Sequence, residues 1–330
     1  MKKFVCLITT ICTFFTCSCS YSNQSHLIKV NLNEVAHSVF YTPLYVAIEQ
    51  GYFKEEGIDL SLVTGFGSDK TMTALLSNDA DIAFMGPETT IYAYNSGAND
   101  QIINFAQLTQ RAGNFLISRS NINDFSWADL KGKTVIGGRK GGMPEMIFEY
   151  ILKQNGLDPS TDLTILQNID FGSTAAAFSG GQGDFSVEFE PSATILETQN
   201  AGYVVASLGV DSGFIPYTAF SAKSSYLEKH PEIIQSFTNA LQKGMTYVNT
   251  HTAEETAKLI APQFKEIDLE TLTKIITRYS EQNTWNTDLV FEKESYDLLL
   301  DVLQESGELS QRPPYDTLIN TTFAEKAMEE

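Results

Sequence analysis

Residues 27–85 read LIKVNLNEVAHSVFYTPLYVAIEQGYFKEEGIDLSLVTGFGSDKTMTALLSNDADIAFM, and their apolar positions switch between two spacings. Segments 27–32, 58–63 and 81–85 alternate or run apolar over a few residues, which is typical of β-strands. Segments 43–51 and 68–78 instead place apolar residues three and four apart, which is typical of amphipathic helices. The order strand, helix, strand, helix, strand predicts a parallel sheet with helices on both faces.

A second α/β unit and a helical tail follow. Residues 103–119 contain strand-like apolar sequence, and the further predicted strands are 133–138, 163–166, 184–189 and 203–208. Predicted helices lie between them at 144–155 and 173–178, and four amphipathic helices follow at 230–249, 253–264, 269–279 and 293–305. A body this long exceeds the size at which one core keeps growing. We therefore expect an α/β protein of two lobes, with 27–119 and 211–330 forming lobe 1 and 120–210 forming lobe 2.

The first residues have the pattern of an export signal. Lys2 and Lys3 precede an uncharged apolar run at 4–16, which is too short to span a membrane but fits a secretory signal. Small residues before a cysteine then resemble the lipobox of bacterial lipoproteins. We expect 1–18 to be the signal, Cys19 to be lipidated and 19–26 to be a tether, with Cys17 as the alternative lipidation site.

Cysteine content and charge narrow the functional class. All four cysteines precede residue 20, so an exported body needs no disulfide pairing. The net charge is −19, and removal of the two leader lysines would make it −21. Such a charge argues against nucleic-acid binding and against electrostatic attachment to anionic lipid. We expect an extracytoplasmic, lipid-anchored monomer.

Four segments in the right order resemble a known family. They are 38–58, 80–86, 129–135 and 189–191, the last reading Phe-Glu-Pro. Together they resemble the type 2 solute-binding proteins of ABC importers, in the branch for sulfonates, taurine, nitrate and pyrimidine precursors of thiamine. The resemblance implies a two-lobed clamp, a tail packed on lobe 1, a small-molecule ligand between the lobes, and permease and ATPase partners. It places hinge crossings near 118–121 and 208–213.

Candidate ligand contacts in lobe 1 lie where its strands end. They are Ser38, Phe40, Tyr41, Gly65, Ser68 and Glu88. Phe40 and Tyr41 could stack on a flat ligand, or pack over the first helix. Gly65 and Ser68 could present free N–H groups at a helix N-terminus, or form a tight turn in which Ser68 caps the helix. Glu88 could face the cleft, although capping the next helix is the commoner role.

Lobe 2 offers Arg139, Gly141 and Glu190. The first two lie in a glycine-rich segment, 137–143, which lacks the spacing of a phosphate-binding loop and is interpreted as a rim around the ligand. Glu190 belongs to the aromatic-Glu-Pro element, and a carboxylate there favours an amine or nitrogen heterocycle such as a thiamine-type pyrimidine. The alternative ligand is an alkyl sulfonate held by Arg139 and helix N-termini. Substitution of Glu190 by Gln should weaken only the first class.

Two other functional classes remain open. One is an exported sensor domain that signals to a partner instead of supplying a permease. The other is an enzyme, because a yeast-type pyrimidine synthase resembles this chain at the level of the fold. The four histidines match no zinc spacing, and no Gly-x-Ser-x-Gly segment occurs. We expect a binding protein without a metal, a cofactor or catalytic activity.

Overall fold

The computed structural model describes residues 27–169 and 171–329. The predicted signal, the tether and the Cys19 lipidation site lie outside these residues. Within them, no helix is both long enough and apolar enough to cross a bilayer. The description below therefore concerns the body of the chain.

The first sheet has the strand order β2-β1-β3-β10-β4. Its strands are β1 Ile28–Glu34, β2 Ile58–Thr64, β3 Ile82–Met85, β4 Ile102–Thr109 and β10 Thr218–Lys223. β1, β2 and β3 are parallel, as predicted, and β10 runs antiparallel between β3 and β4. Val30, Leu32, Ile82 and Phe84 are buried in the core, which accounts for the apolar spacing of these segments.

The second sheet has the strand order β7-β6-β8-β5-β9. Its strands are β5 Asn114–Ser118, β6 Thr134–Ile136, β7 Thr164–Leu166, β8 Phe185–Phe189 and β9 Tyr203–Ser207. β6, β7 and β8 are parallel, and β5 runs antiparallel to β8. The α/β class and the two lobes are therefore confirmed.

The predicted end of lobe 1 at residue 119 is wrong. β5 pairs with β8 and β9, so it belongs to the second sheet. The chain consequently crosses between the lobes at 110–113, before β5 begins and not near 118–121. It returns at 208–217, between β9 and β10.

Fifteen α-helices occur in the described residues. Those up to the return crossing are α1 Thr42–Glu49, α2 Tyr52–Glu55, α3 Ser68–Ser77, α4 Glu88–Asn95, α5 Met143–Gln154, α6 Thr174–Ser179, α7 Ser192–Thr198 and α8 Leu208–Asp211. The later ones are α9 Ser224–Lys229, α10 Pro231–Thr250, α11 Ala253–Ile260, α12 Leu269–Glu281, α13 Lys293–Glu305, α14 Tyr315–Leu318 and α15 Thr322–Ala327.

The helical tail contacts both lobes. α10 packs on α1 and α2 of lobe 1, as expected. α13, however, packs on α5 of lobe 2, where the Lys153 ammonium donates to the Glu305 carbonyl at 2.7 Å. α12 also contacts α7 of lobe 2. The tail therefore packs on lobe 1, as expected, and in addition contacts lobe 2.

Candidate ligand-binding site

The carboxyl ends of the parallel strands in both lobes face each other where the lobes meet. Phe40 follows β1 in lobe 1, and its ring centroid lies 6.1 Å from that of Phe189 at the end of β8 in lobe 2. Tyr217, in the return crossing, lies 5.7 Å from Phe40 and 6.2 Å from Phe189. Clefts at the carboxyl ends of strands are the usual ligand sites of α/β proteins. We call Phe40, Tyr41, Phe189 and Tyr217 the aromatic cluster.

The turn after β1 supplies two of these rings. Residues Val39–Tyr41 form a 3₁₀ helix, and the Phe40 N–H donates to the Ser38 hydroxyl oxygen at 3.3 Å. Ser38 therefore caps this turn, while Phe40 and Tyr41 are buried. The next aromatic, Tyr45, is a core residue whose hydroxyl donates to Glu34 at 2.7 Å.

Glu88 is the buried acid of the cleft. It begins α4, directly after β3, and only 6% of its surface is exposed. Its carboxylate folds over Gly86, so closely that a Cβ at Gly86 would lie 2.1 Å from Glu88 Oε2. That oxygen accepts no hydrogen bond from residues 27–169 or 171–329. Burial raises the pKa of Glu88 to about 7.

Gly65 and Ser68 form a tight strand-to-helix turn. A Cβ at Gly65 would lie 2.5 Å from both Asn33 Oδ1 and Thr71 Oγ1, so glycine is needed for close packing. Gly65 N–H donates to the Glu34 carbonyl at 2.8 Å, and is therefore not available to a ligand. The N-cap of α3 is Gly67, so the expectation that Ser68 caps this helix is wrong.

The glycine-rich segment of lobe 2 is bonded to its own helix. Gly141, at φ 76°, donates its N–H to Glu145 Oε2 at 3.1 Å. Burial, together with the neighbouring Glu149, raises the pKa of Glu145. The Arg139 side chain is exposed to solvent. Across the described part of the chain, no three His, Cys, Asp or Glu side chains are grouped to hold a metal ion.

Both carboxylate oxygens of Glu190 accept hydrogen bonds from other residues of the protein. Its Oε1 pairs with Arg278 Nη1 of α12 at 2.5 Å and accepts from the Thr194 hydroxyl at 2.9 Å. Its Oε2 accepts from the Thr194 N–H at 2.9 Å, and 2% of the residue is exposed. Glu190 therefore joins lobe 2 to the tail, whereas Glu88, whose charge acts on Tyr41 and Tyr217 of the aromatic cluster, keeps an oxygen without a hydrogen bond from the described residues.

Besides Phe189, which lies in the Phe-Glu-Pro element but was not proposed as a contact, sequence reasoning missed two residues of the cleft. Asn114 begins β5, and its Oδ1 accepts from the Tyr217 hydroxyl at 2.8 Å. No motif marks either residue, because each lies beside a crossing whose position is set by strand pairing. Asn114 is the polar first residue of a buried strand, and that position was the available signal.

The chain is similar in sequence to a family model and to two known proteins. The NMT1/THI5-like family model matches residues 39–255. YtlA of Bacillus subtilis (strain 168), whose name specifies no ligand, is 43% identical over 327 residues, covering 99% of this chain and 97% of YtlA. The formylaminopyrimidine-binding protein of Halalkalibacterium halodurans is 23% identical over 300 residues, covering 86% and 88% of the two chains.

A solved structure shows the same fold. The ligand-binding component of an ABC-type import system from Staphylococcus aureus superposes with a TM-score of 0.73 at 16% identity, covering 91% of this chain and 98% of that one. Likeness at this identity establishes the fold of the periplasmic binding proteins and leaves the ligand open. The match over residues 39–255 shows that the chain belongs to the NMT1/THI5-like family.

Proposed function

We propose that this protein is the solute-binding subunit of an ABC importer and binds a planar, amino-bearing nitrogen heterocycle in the interlobe cleft. Family membership, the two-lobed fold and the import role of the Staphylococcus aureus structure support the class of function. On this proposal the cleft closes around the ligand by hinge motion at 110–113 and 208–217 and performs no chemistry on it. Permease and ATPase subunits would be its partners.

The proposed class of ligand rests mainly on Glu88. A buried carboxyl with an unbonded oxygen is costly unless a hydrogen-bond donor reaches it. The aromatic cluster beside it offers flat apolar faces for ring stacking. An amino group on a planar heterocycle satisfies both features. The formylaminopyrimidine ligand in the name of the Halalkalibacterium relative fits this chemistry.

An alkyl sulfonate fits the same cleft less well. The N-terminus of α4, where an anion would find free N–H groups, is approached by the Glu88 carboxylate itself. Arg139, which the sulfonate hypothesis needs as the counter-charge, is exposed to solvent. Above pH 7, where Glu88 is ionised, an anionic ligand near it would meet like charge.

A ligand panel tests this proposal. Residues 27–330 would be titrated by calorimetry with formylaminopyrimidine, riboflavin, an alkanesulfonate and nitrate, and the melting temperature followed with each. We expect formylaminopyrimidine, the amino heterocycle of the panel, to bind and raise the melting temperature, since a ligand that binds only the folded state stabilises it. Binding of the sulfonate or nitrate with no response to any heterocycle would contradict the proposal.

We further propose that Cys19 carries the lipid that holds the protein at the outer face of the membrane. The charged n-region, the apolar run and the cysteine-free body support it. In cell fractionation, we expect the Cys19→Ser variant in the soluble fraction and not with the membranes. Cys17→Ser is the matched control and should stay with the membranes. If Cys17→Ser releases the protein from the membranes and Cys19→Ser does not, Cys17 carries the lipid.

A further inference from the structure

Two aromatic side chains of the helical tail donate hydrogen bonds to backbone carbonyls at the aromatic cluster. The indole N–H of Trp285, in the loop after α12, donates to the Phe40 carbonyl at 2.9 Å. The hydroxyl of Tyr279, in α12, donates to the Gly113 carbonyl of the first crossing at 3.1 Å. The partners lie 245 and 166 residues apart in the chain, so the tail reaches the cluster only through the fold.

The same two side chains also pack around Phe40. Tyr279 is fully buried, and its ring centroid lies 5.1 Å from that of Phe40 and 5.9 Å from that of Trp285. Burial raises the pKa of Tyr279 well above its usual range, so its hydroxyl keeps the proton that it donates. Phe40 is therefore held at two points, its carbonyl by Trp285 and its ring by Tyr279.

Gly113 lies directly beneath rings from both lobes. A Cβ at Gly113 would lie 2.7 Å from Phe40 Cε2 and 2.9 Å from Phe189 Cε1, so both rings rest against bare backbone. Tyr279 is bonded to the carbonyl of that same residue. One hydroxyl of the tail thus fixes the backbone on which a ring of lobe 1 and a ring of lobe 2 are packed.

We propose that Tyr279 and Trp285 are positioning residues that hold the Phe40 ring in place before a ligand arrives. This inference rests on the proposed function only in that the ligand contacts the aromatic cluster, and it holds for any ligand bound there. A side chain that is fixed in advance loses less conformational freedom on binding, and affinity rises accordingly. Loss of either donor should therefore weaken binding through Phe40.

Tyr279→Phe is best compared with Tyr296→Phe. Tyr296 is also a buried tyrosine of the tail, and its hydroxyl donates to the Pro313 carbonyl at the same 3.1 Å. Each substitution removes one oxygen and one buried hydrogen bond, so we expect similar losses of stability in urea unfolding. In calorimetry with formylaminopyrimidine, Tyr279→Phe should lower affinity about 2- to 10-fold, and Tyr296→Phe should leave it unchanged. Trp285→Phe should lower affinity in the same range as Tyr279→Phe.

Hydrogen exchange of the free protein tests the positioning role without a ligand. Within the 3₁₀ turn, the Tyr41 N–H donates to the Ser38 carbonyl at 2.9 Å. If Trp285 holds this turn, the amides of residues 38–42 should exchange faster in Trp285→Phe than in the unmodified chain. They should exchange at the unmodified rate in Tyr296→Phe.

The two measurements separate the inference from the proposed function. Unchanged exchange at 38–42 in both Tyr279→Phe and Trp285→Phe would overturn the inference, whatever the ligand. Equal affinity of Tyr279→Phe and Tyr296→Phe for formylaminopyrimidine would overturn it as well, while the proposed function stands. Failure of the unmodified chain to bind formylaminopyrimidine would contradict the proposed ligand class, and the exchange rates would still decide whether the tail fixes the turn.

Discussion

Replacing Arg278 by alanine is expected to destabilise the folded chain by roughly 3–5 kcal/mol. Arg278 Nη1 pairs with the buried Glu190 at 2.5 Å, and Nη2 pairs with Glu197 at 2.6 Å. Its guanidinium carbon also lies 5.2 Å from the centroid of the Phe115 ring. Removal of the cation leaves the Glu190 carboxylate buried without its counter-charge, and this is the costly event. Urea unfolding of the two proteins measures the difference.

Lys274→Ala is the matched control, because Lys274 pairs with the same Glu197 at 3.1 Å but is half exposed. The Lys274→Ala substitution should lower the free energy of unfolding by less than about 1 kcal/mol, as for other surface ion pairs. The double variant Arg278→Ala, Glu190→Gln should regain part of the loss, because it removes the unpaired charge. Equal midpoints for Arg278→Ala and Lys274→Ala would refute the buried-pair account.

Above pH 7, where Glu88 is ionised, replacing it by glutamine is expected to weaken binding of an amino heterocycle by about 10- to 100-fold, the usual contribution of a charge-assisted hydrogen bond. Glutamine keeps the shape and can still place its carbonyl oxygen near the amino group, but without the charge. Calorimetric titration of both proteins measures the effect. Glu190→Gln should change affinity far less and stability more, which reverses the expectation from sequence.

The Gly86→Ala variant tests the role of the Glu88 carboxylate without changing its chemistry. The new Cβ would lie 2.1 Å from Glu88 Oε2, so the carboxylate must move away. Because the displaced atom is the end of a flexible side chain, we expect lower affinity with little loss of stability. Unchanged affinity in both Glu88→Gln and Gly86→Ala would remove Glu88 from the site.

Glu88 should also make stability depend on pH. Folding raises its pKa from 4.5 to about 7, so the folded chain holds a proton that the unfolded chain releases. The free energy of unfolding should therefore fall as pH rises from 4.5 to 7, and Glu188, also raised to about 7 by burial, acts in the same direction. Glu88→Gln should show a smaller fall in melting temperature over this window. A slope equal to that of the unmodified chain would argue against a buried, protonated Glu88.

The first lobe could be predicted well from sequence because its order is local. β1, β2 and β3 and the helices between them follow apolar spacing over short segments, and each is bounded by turn residues. Glu88 could be proposed because it directly follows β3. The crossing at 110–113 could not be predicted, because 103–119 contains strand-like sequence on both sides of it and nothing local shows that β5 joins the other sheet.

The role of Glu190 likewise could not be predicted from the sequence. Its partner Arg278 lies 88 residues later, on a helix whose packing against lobe 2 has no periodic signal. The family resemblance marked the Phe-Glu-Pro element but not the arginine that neutralises it. Asn114 and Tyr217, separated by 103 residues, escaped detection for the same reason. Spacing patterns predict elements, whereas pairs between distant segments require the fold.

A crystal structure of the protein with a bound aminopyrimidine is the most direct test of the central claim. We predict the ring within the aromatic cluster, with its amino nitrogen about 2.7–3.2 Å from Glu88 Oε2. A ring bound outside this cluster, or an amino group bonded to Glu190 in place of Glu88, would contradict the account.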